Sequence, residues 1–247
     1  MKTVMITGCS SGFGLEIARH FLDRDWQVVA TMRTPRTDLL PQSDRLRILA
    51  LDITDDASIR AAIAMTGPID ALVNNAGVGL INPLEAVSTD TIRAVFETNT
   101  LGTIAMTQAV LPAMRARRAG VIVNVTSTVT LAPRPLLSVY TGSKAAVNAF
   151  TESLALELEP LGIRARLVLP GRAPETRFGE NARPLMQDDV PAEYAPLRDS
   201  LFAGMRTPGP VTHAEDVAQA VWRAVTDTTA PMRIPAGADA EALAASL

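Results

Sequence analysis

Between Val4 and Leu169 six short β-type apolar runs follow one another: Val4–Ile6, Gln27–Met32, Leu46–Leu51, Ala71–Val73, Gly120–Val125 and Ile163–Leu169. Stretches with helical spacing fill most of the gaps between them. Leu15, Ala18, Phe21 and Leu22 share one helix face after the first run, and Ile59, Ala62 and Ile63 do so after the third, behind a cap at Asp55 or Asp56. Ile92, Val95, Phe96, Met106 and Val110 mark a long helix opening at Ser88, and Val147, Phe150, Leu154 and Leu158 mark another. Runs this short and apolar, alternating with amphipathic helices, bury themselves as a parallel sheet covered on both sides. Met232–Gly237 adds a last short strand. The expected fold is therefore α/β, a doubly wound parallel sheet of about seven strands with helices on both faces, in a single domain over residues 1–247.

With 247 residues, 47% of them hydrophobic, the chain can bury one sizeable core. A formal net charge of −3 with no basic run argues against nucleic acid as a partner. Cys9 is the sole cysteine, which excludes an intrachain disulfide and suits a reducing cytoplasm. The first residues carry too short an apolar run for a signal peptide, no stretch reaches the ~18 apolar residues of a membrane span, and the tail lacks a peroxisomal Ser-Lys-Leu address. His20 and His213 stand apart from each other, so no metal site is expected.

The first run leads into Thr7-Gly8-Cys9-Ser10-Ser11-Gly12-Phe13-Gly14 and then a helix. Glycines let the main chain turn tightly and approach a phosphate, while a helix N-terminus favours an anion. A dinucleotide site that prefers NAD usually carries an acidic residue at the end of the second strand, to hold the ribose 2′-hydroxyl. Here Met32-Arg33 stands instead, and a guanidinium can pair with the 2′-phosphate of NADP(H). Arg33 is otherwise a solvated surface residue, and Arg36 is a second candidate contact. Asn74-Asn75-Ala76-Gly77 ends the fourth run, either as a structural Asx turn or at the ligand edge of the sheet. Asn99 lies on an apolar helix face, either as a packed amide or as part of a hydrogen-bonded relay.

Ser127 closes the fifth run, a proline-broken loop follows, and Tyr140 and Lys144 stand one helical turn apart. A phenol with a pKa of about 10 is a poor base, and a neighbouring ammonium moves it toward the working range. That combination suits general acid/base chemistry. From Pro170 to Pro210 prolines are frequent, and Val190, Tyr194, Leu197, Leu201 and Met205 recur at helical spacing. This segment, 170–210, is either a substrate lid or a plain surface helix. Its arginines (Arg172, Arg177, Arg183, Arg198 and Arg206) either draw in an anionic substrate or form a solvated face. Thr212-His213-Ala214-Glu215 has the pattern of a capping box for the next helix.

Taken in order, Thr7-Gly8-x-x-x-Gly12-x-Gly14, Asn74-Asn75-Ala76-Gly77, Asn99, Ser127 and Tyr140-x-x-x-Lys144 resemble the classical short-chain dehydrogenases/reductases over nearly the whole chain. The resemblance implies a Rossmann-type fold and an oxidoreductase that moves a hydride between NADP(H), or less readily NAD(H), and a carbonyl or alcohol. By the same analogy Tyr140 is the proton donor and acceptor, and Ser127 orients the substrate oxygen. Lys144 lowers the Tyr140 pKa and binds the nicotinamide ribose, and Asn99 helps hold a proton-carrying water. Gly8, Ser10, Ser11, Gly12, Phe13, Gly14, Arg33, Asp52, Ile53, Asn75, Ala76, Gly77, Pro170, Gly171 and Thr176 complete the implied cofactor site. Four residues rather than three separate Gly171 from Thr176, a departure that a bulge can absorb. The runs at Thr31–Arg33 and Arg233–Asp239 look closest to members handling retinoids, steroids or other apolar carbonyl compounds. A 3-oxoacyl-thioester reductase and a non-catalytic NADP-binding sensor are the alternatives. The family habitually forms homodimers or homotetramers through its two long helices, here residues 89–118 and 138–160.

Overall fold

The computed structural model describes residues 1–186 and 189–247. Seven parallel strands form one sheet: β1 (Thr3–Ile6), β2 (Gln27–Met32), β3 (Leu46–Ala50), β4 (Ala71–Asn74), β5 (Gly120–Val125), β6 (Ile163–Pro170) and β7 (Arg233–Ala236), in the order β3-β2-β1-β4-β5-β6-β7. The order reverses beside β1. The carboxyl ends of β1 and β4 therefore splay their loops apart and open a crevice, the usual ligand position in such sheets.

The helices are α1 (Gly12–Leu22), α2 (Asp56–Ala64), α3 (Thr89–Phe96), α4 (Gly102–Arg117), α5 (Ser138–Leu158), α6 (Phe178–Ala182), α7 (Ala195–Arg206), α8 (Ala214–Thr226) and α9 (Ala238–Ala245). Strand alternation divides the core in two. Val4, Ile6, Val28, Ala30 and Val123 face the cluster that holds α1 and α8, whereas Met5, Val29, Leu72 and Ile122 face α2, α4 and α5. Burial on both faces explains why the strands are apolar throughout rather than alternating with polar residues.

Three expectations change. The helix opening at Ser88, whose Oγ accepts the Thr91 N–H at 3.1 Å, is interrupted by a π turn over Glu97–Leu101. The helix α8 is capped from His213, whose N–H donates to Asp216 at 2.8 Å, because Thr212 has turned inward, where its hydroxyl has the Ala236 carbonyl (2.8 Å) and the Asp239 carboxylate (2.7 Å) as alternative acceptors for its one proton. The helix read inside segment 170–210 from the spacing of Val190 to Met205 is present but starts later: a 3-10 turn over Ala192–Tyr194 leads into α7 at Ala195, with Pro196 in its first turn, leaving Val190 and Tyr194 outside it. Within that segment Gln187 and Asp188 lie outside the described residues.

Candidate active site

The crevice is built first from backbone. Gly8 (φ +76°) and Gly12 (φ +56°) occupy the left-handed region, where a side chain is strained. A Cβ on Gly8 would lie 2.8 Å from the Ala76 Cα, and one on Gly14 would run into the Gly8 carbonyl. The Asn75–Ala76 turn thus packs directly on the glycine loop. Thr7 Oγ1 accepts the N–H groups of Asn75 and Ala76, both at 3.0 Å, while Asn75 Nδ2 donates to the Thr7 (2.9 Å) and Gly8 (3.2 Å) carbonyls. Asn75 is a brace between the two loops. Ser10 is exposed, Ser11, Gly12 and Phe13 are half-buried, and Ser11 makes no side-chain cap, so the N–H groups opening α1 face the crevice unshielded.

Arg33 is exposed just beyond β2, and its charge reaches Asp52 at the end of β3. The Asp52 carboxyl is held below the usual carboxylate range, chiefly by the Thr54 N–H (2.9 Å) and hydroxyl (2.7 Å), and then by Arg33. Arg36 is bound to Asp38 at 2.6 Å. Ile53 is buried against the start of α4, where a Cβ on Gly102 would meet it at 2.9 Å. On the far side of the crevice Pro170 ends β6 opposite Ala236. The Gly171 N–H donates to Thr212 Oγ1 (2.9 Å), the Arg172 N–H to the Asp239 carboxylate (2.6 Å). The additional residue of this loop is absorbed in a turn closed by the Thr176 N–H and hydroxyl, both donating to the Ala173 carbonyl (3.2 and 2.9 Å). That turn carries Thr176 to within 3.4 Å of where a Cβ on Gly12 would stand.

Ser127 lies two residues beyond β5, in the loop that follows it, and Tyr140 and Lys144 occupy the first two turns of α5. All three are buried, at 8%, 7% and 6% exposure, and the Ser127 side chain is hydrogen-bonded to the Tyr140 phenol. Lys144 Nζ donates to the Val125 carbonyl at 3.0 Å. Asn99, fully buried in the π turn, accepts the Val78 N–H on Oδ1 (2.8 Å) and gives Nδ2 to the Val78 carbonyl (2.9 Å) and Ser143 Oγ (3.0 Å). A Cβ on Gly77 would lie 3.1 Å from Asn99 Oδ1 and 3.2 Å from Lys144 Nζ. The fold therefore brings Ser127, Tyr140, Lys144 and Asn99 together beside the crevice.

The charge balance differs from the sequence expectation. Burial pushes the Tyr140 phenol up to about 12, with the Ser127 bond acting against it, and pushes Lys144 down to about 8. The protein's own groups hold Tyr140 above the ordinary phenol value rather than below it, because desolvation penalises both charged forms and the ammonium is committed to a main-chain carbonyl. A Lys144 pKa lowered by folding means that the folded chain binds fewer protons than the unfolded one between about pH 8 and 10.5, so this group's penalty is present below pH 8 and relieved as pH rises through that window. Comparing urea unfolding of wild type with Lys144→Met at pH 7 and pH 10 should show wild type gaining about 3 kcal/mol relative to the variant. A pH-independent difference would place the lysine in an unperturbed environment.

The sequence profile of the short chain dehydrogenases matches residues 2–185. The chain belongs to that family. Human retinol dehydrogenase 8 is 34% identical over 256 residues, an alignment covering 94% of this chain and 80% of that protein. The crystal structure of a short-chain dehydrogenase from Streptomyces avermitilis superposes with a TM-score of 0.85 at 30% identity, covering 99% of this chain and 91% of that one. A short-chain dehydrogenase from Burkholderia cenocepacia, solved in complex with NADP, gives a TM-score of 0.79 at 27% identity over 100% of this chain and 94% of its own. The seven-stranded parallel sheet is the short-chain dehydrogenase fold.

Several features of this short-chain dehydrogenase escaped the sequence reading. Under the site, Asn74 Nδ2 donates to Thr107 Oγ1 (3.1 Å) and Asn124 Oδ1 (2.8 Å), and Asn124 Nδ2 to Thr151 Oγ1 (2.8 Å). This tie joins β4 and β5 to α4 and α5, and the asparagine inside the otherwise apolar run Gly120–Val125 was its one visible sign. Leu185 packs on an apolar cluster of Leu80, Val87, Val95 and Val139, beside Tyr140, and the Tyr194 phenol bonds Glu85. The segment after β6 thus packs on the chain between β4 and α4 and on the start of α5. Four of its five arginines are engaged locally: Arg172 on the Met205 and Thr207 carbonyls (2.5 and 3.0 Å), Arg177 on Glu180, Arg198 on Asp199 and Arg206 on the Phe202 carbonyl. Among the described residues no group of His, Cys, Asp and Glu side chains could hold a metal ion, and no helix is long and apolar enough to cross a membrane.

Proposed function

We propose that this short-chain dehydrogenase reduces apolar ketones or aldehydes with NADPH, and runs the same reaction backwards on the alcohols. The observation that carries the reading is the Ser127–Tyr140 hydrogen bond just beyond β5, beside a glycine cradle where a Cβ on Gly8 or Gly14 would collide with main chain. The close main-chain packing and the open α1 N-terminus fit a pyrophosphate, and Arg33 beyond β2 fits a 2′-phosphate. A reduced dinucleotide held there supplies the hydride. The protein's part is to hold the substrate oxygen between two hydroxyls and to deliver a proton from Tyr140 Oη as that oxygen becomes an alkoxide. A phenol raised to about 12 stays protonated through neutral pH, which suits donation in the direction of reduction. Lys144 keeps a positive charge beside the site below about pH 8.

The apolar cluster beside Tyr140 favours an apolar substrate, and the retinol dehydrogenase relative acts on a compound of that character. A carrier-bound acyl thioester would call for a basic mouth, and the arginines of the segment after β6 are largely engaged on their own neighbours. The test is cofactor oxidation across aldehydes, ketones, diketones and acyl thioesters, with NADPH and NADH in parallel. Turnover of apolar carbonyls preferring NADPH is the expected result. Turnover confined to thioesters would replace the substrate class, and tight NADPH binding without turnover of any substrate would remove the enzymatic reading.

A further inference from the structure

Two relays with the same construction, one buried and one partly buried, reach the two hydroxyl-bearing residues of the site. In the first, Asn99 Nδ2 donates to Ser143 Oγ (3.0 Å), and Ser143 Oγ donates in turn to the main-chain carbonyl of Tyr140 (2.7 Å). In the second, Asn148 Nδ2 donates to Thr130 Oγ1 (2.9 Å), and Thr130 Oγ1 donates to the main-chain carbonyl of Ser127 (2.8 Å). Each relay is an amide, a hydroxyl and the carbonyl of a candidate catalytic residue. Asn99 and Ser143 are fully buried, so the first relay is shielded from competing water; Asn148 is 5% exposed and Thr130 half-buried, so the second is partly shielded. Both amides are anchored on elements other than the loop or turn they steer. Asn99 is fixed by the Val78 N–H and carbonyl, and Thr100 Oγ1 adds a bond to the Ser143 carbonyl at 3.0 Å. Asn148 stands on α5, whereas Thr130 and Ser127 belong to the loop after β5.

Resting on the reading above, we propose that Ser143 and Thr130 are positioning residues that together set the separation of the Tyr140 and Ser127 hydroxyls. Their directionality makes them suited to it. A hydroxyl that must accept from an amide and donate to a carbonyl has one orientation, so each carbonyl is held at a fixed place relative to a helix. Without its hydroxyl partner, the Tyr140 carbonyl in the first turn of α5 keeps its helical bond alone and the Ser127 carbonyl in the loop after β5 keeps the Thr130 N–H at 3.2 Å, so each loses the restraint that fixes its direction. The substrate oxygen is then no longer within reach of both donors.

The experiment uses Ser143→Ala and Thr130→Val, with Ser143→Thr and Thr130→Ser as variants that keep the hydroxyl. Misplacement of a reacting group by an ångström costs up to about 10²-fold in rate, so a loss of about tenfold or more in kcat is expected for each hydroxyl-free variant. NADPH affinity should be unchanged, and the conservative variants should recover most of the rate. A second readout needs no turnover: the chain has two tyrosines, so ¹³Cζ-tyrosine labelling with Tyr194→Phe assigns the Tyr140 resonance. That resonance should move in Ser143→Ala and Thr130→Val and return in the conservative pair. Should Ser143→Ala fail to fold, Ser143→Cys serves in its place. Unchanged kcat with an unmoved Tyr140 resonance, whatever the melting temperature does, would overturn the proposal. A moved resonance in a chain whose Tyr140→Phe variant is fully active would leave the positioning intact and sink the acid/base reading instead.

Discussion

Tyr140→Phe should lower kcat for carbonyl reduction by about 10²- to 10⁴-fold, the usual worth of a positioned proton donor, while the folded structure and NADPH binding persist. The substitution removes one oxygen. The ring stays buried at the start of α5 against the same neighbours, so the change in packing is small. What disappears is the proton source and the partner of the Ser127 side chain. The Ser127 hydroxyl oxygen keeps its other partner, the Val129 N–H at 3.3 Å. The measurement is single-turnover NADPH oxidation, paired with a fluorescence titration of NADPH. Wild-type rates in the variant would assign the proton to another group and end the mechanism. A loss of NADPH binding in parallel with rate would instead make Tyr140 a cofactor ligand first.

Arg33→Asp should reverse the cofactor preference. A guanidinium on a phosphate makes charge-assisted bonds worth about 1.5–3 kcal/mol each, so losing them and adding a repelling carboxylate should weaken NADPH by about 10²-fold or more. NADH should bind as well as before or better, since an aspartate there can accept from a ribose 2′-hydroxyl. Arg36 gives little compensation because Asp38 already holds it. The new carboxylate also faces Asp52, which loses the cation that helps keep it ionised, and a modest rise of the Asp52 pKa should accompany the switch. Calorimetric titration of both dinucleotides against wild type and variant decides the matter. Equal NADPH affinity in the two proteins would leave Arg33 as a solvated surface residue.

The strands were legible because a parallel sheet buried on both faces leaves an unbroken apolar signature, and every run placed from Val4 to Gly237 lies on a strand of the sheet. The glycine loop was legible for a related reason, since backbone that must approach backbone admits no side chain. The π turn was not. Glu97–Leu101 contains neither proline nor glycine, and the apolar spacing on either side fits an uninterrupted helix. The inward turn of Thr212 was hidden as well, because a Thr-x-x-Glu pattern signals a cap whether or not the threonine has a better partner in space. Its partners, Gly171, Ala236 and Asp239, come from distant parts of the chain. The direction of the Tyr140 shift was misjudged for an energetic reason: a charged neighbour is visible in a sequence, and the desolvation that outweighs it is not.

The π turn also makes this stretch sensitive to length. A π turn holds one residue more than the α-helix it interrupts, so the chain beyond it is rotated by about 100° from the continuation of α3. Deleting a single residue between Glu97 and Leu101 would let the ladder close into one continuous helix, at little cost in helical hydrogen bonds. Because the deletion removes the same rotation of about 100° that the π turn takes up, the apolar stripe of α4 would keep its side, and the wide turn that holds Asn99 against the Val78 N–H and carbonyl would be lost. A point substitution there trades one side chain for another, whereas a one-residue deletion would leave α4 packed on the sheet and take away the wide turn that places Asn99.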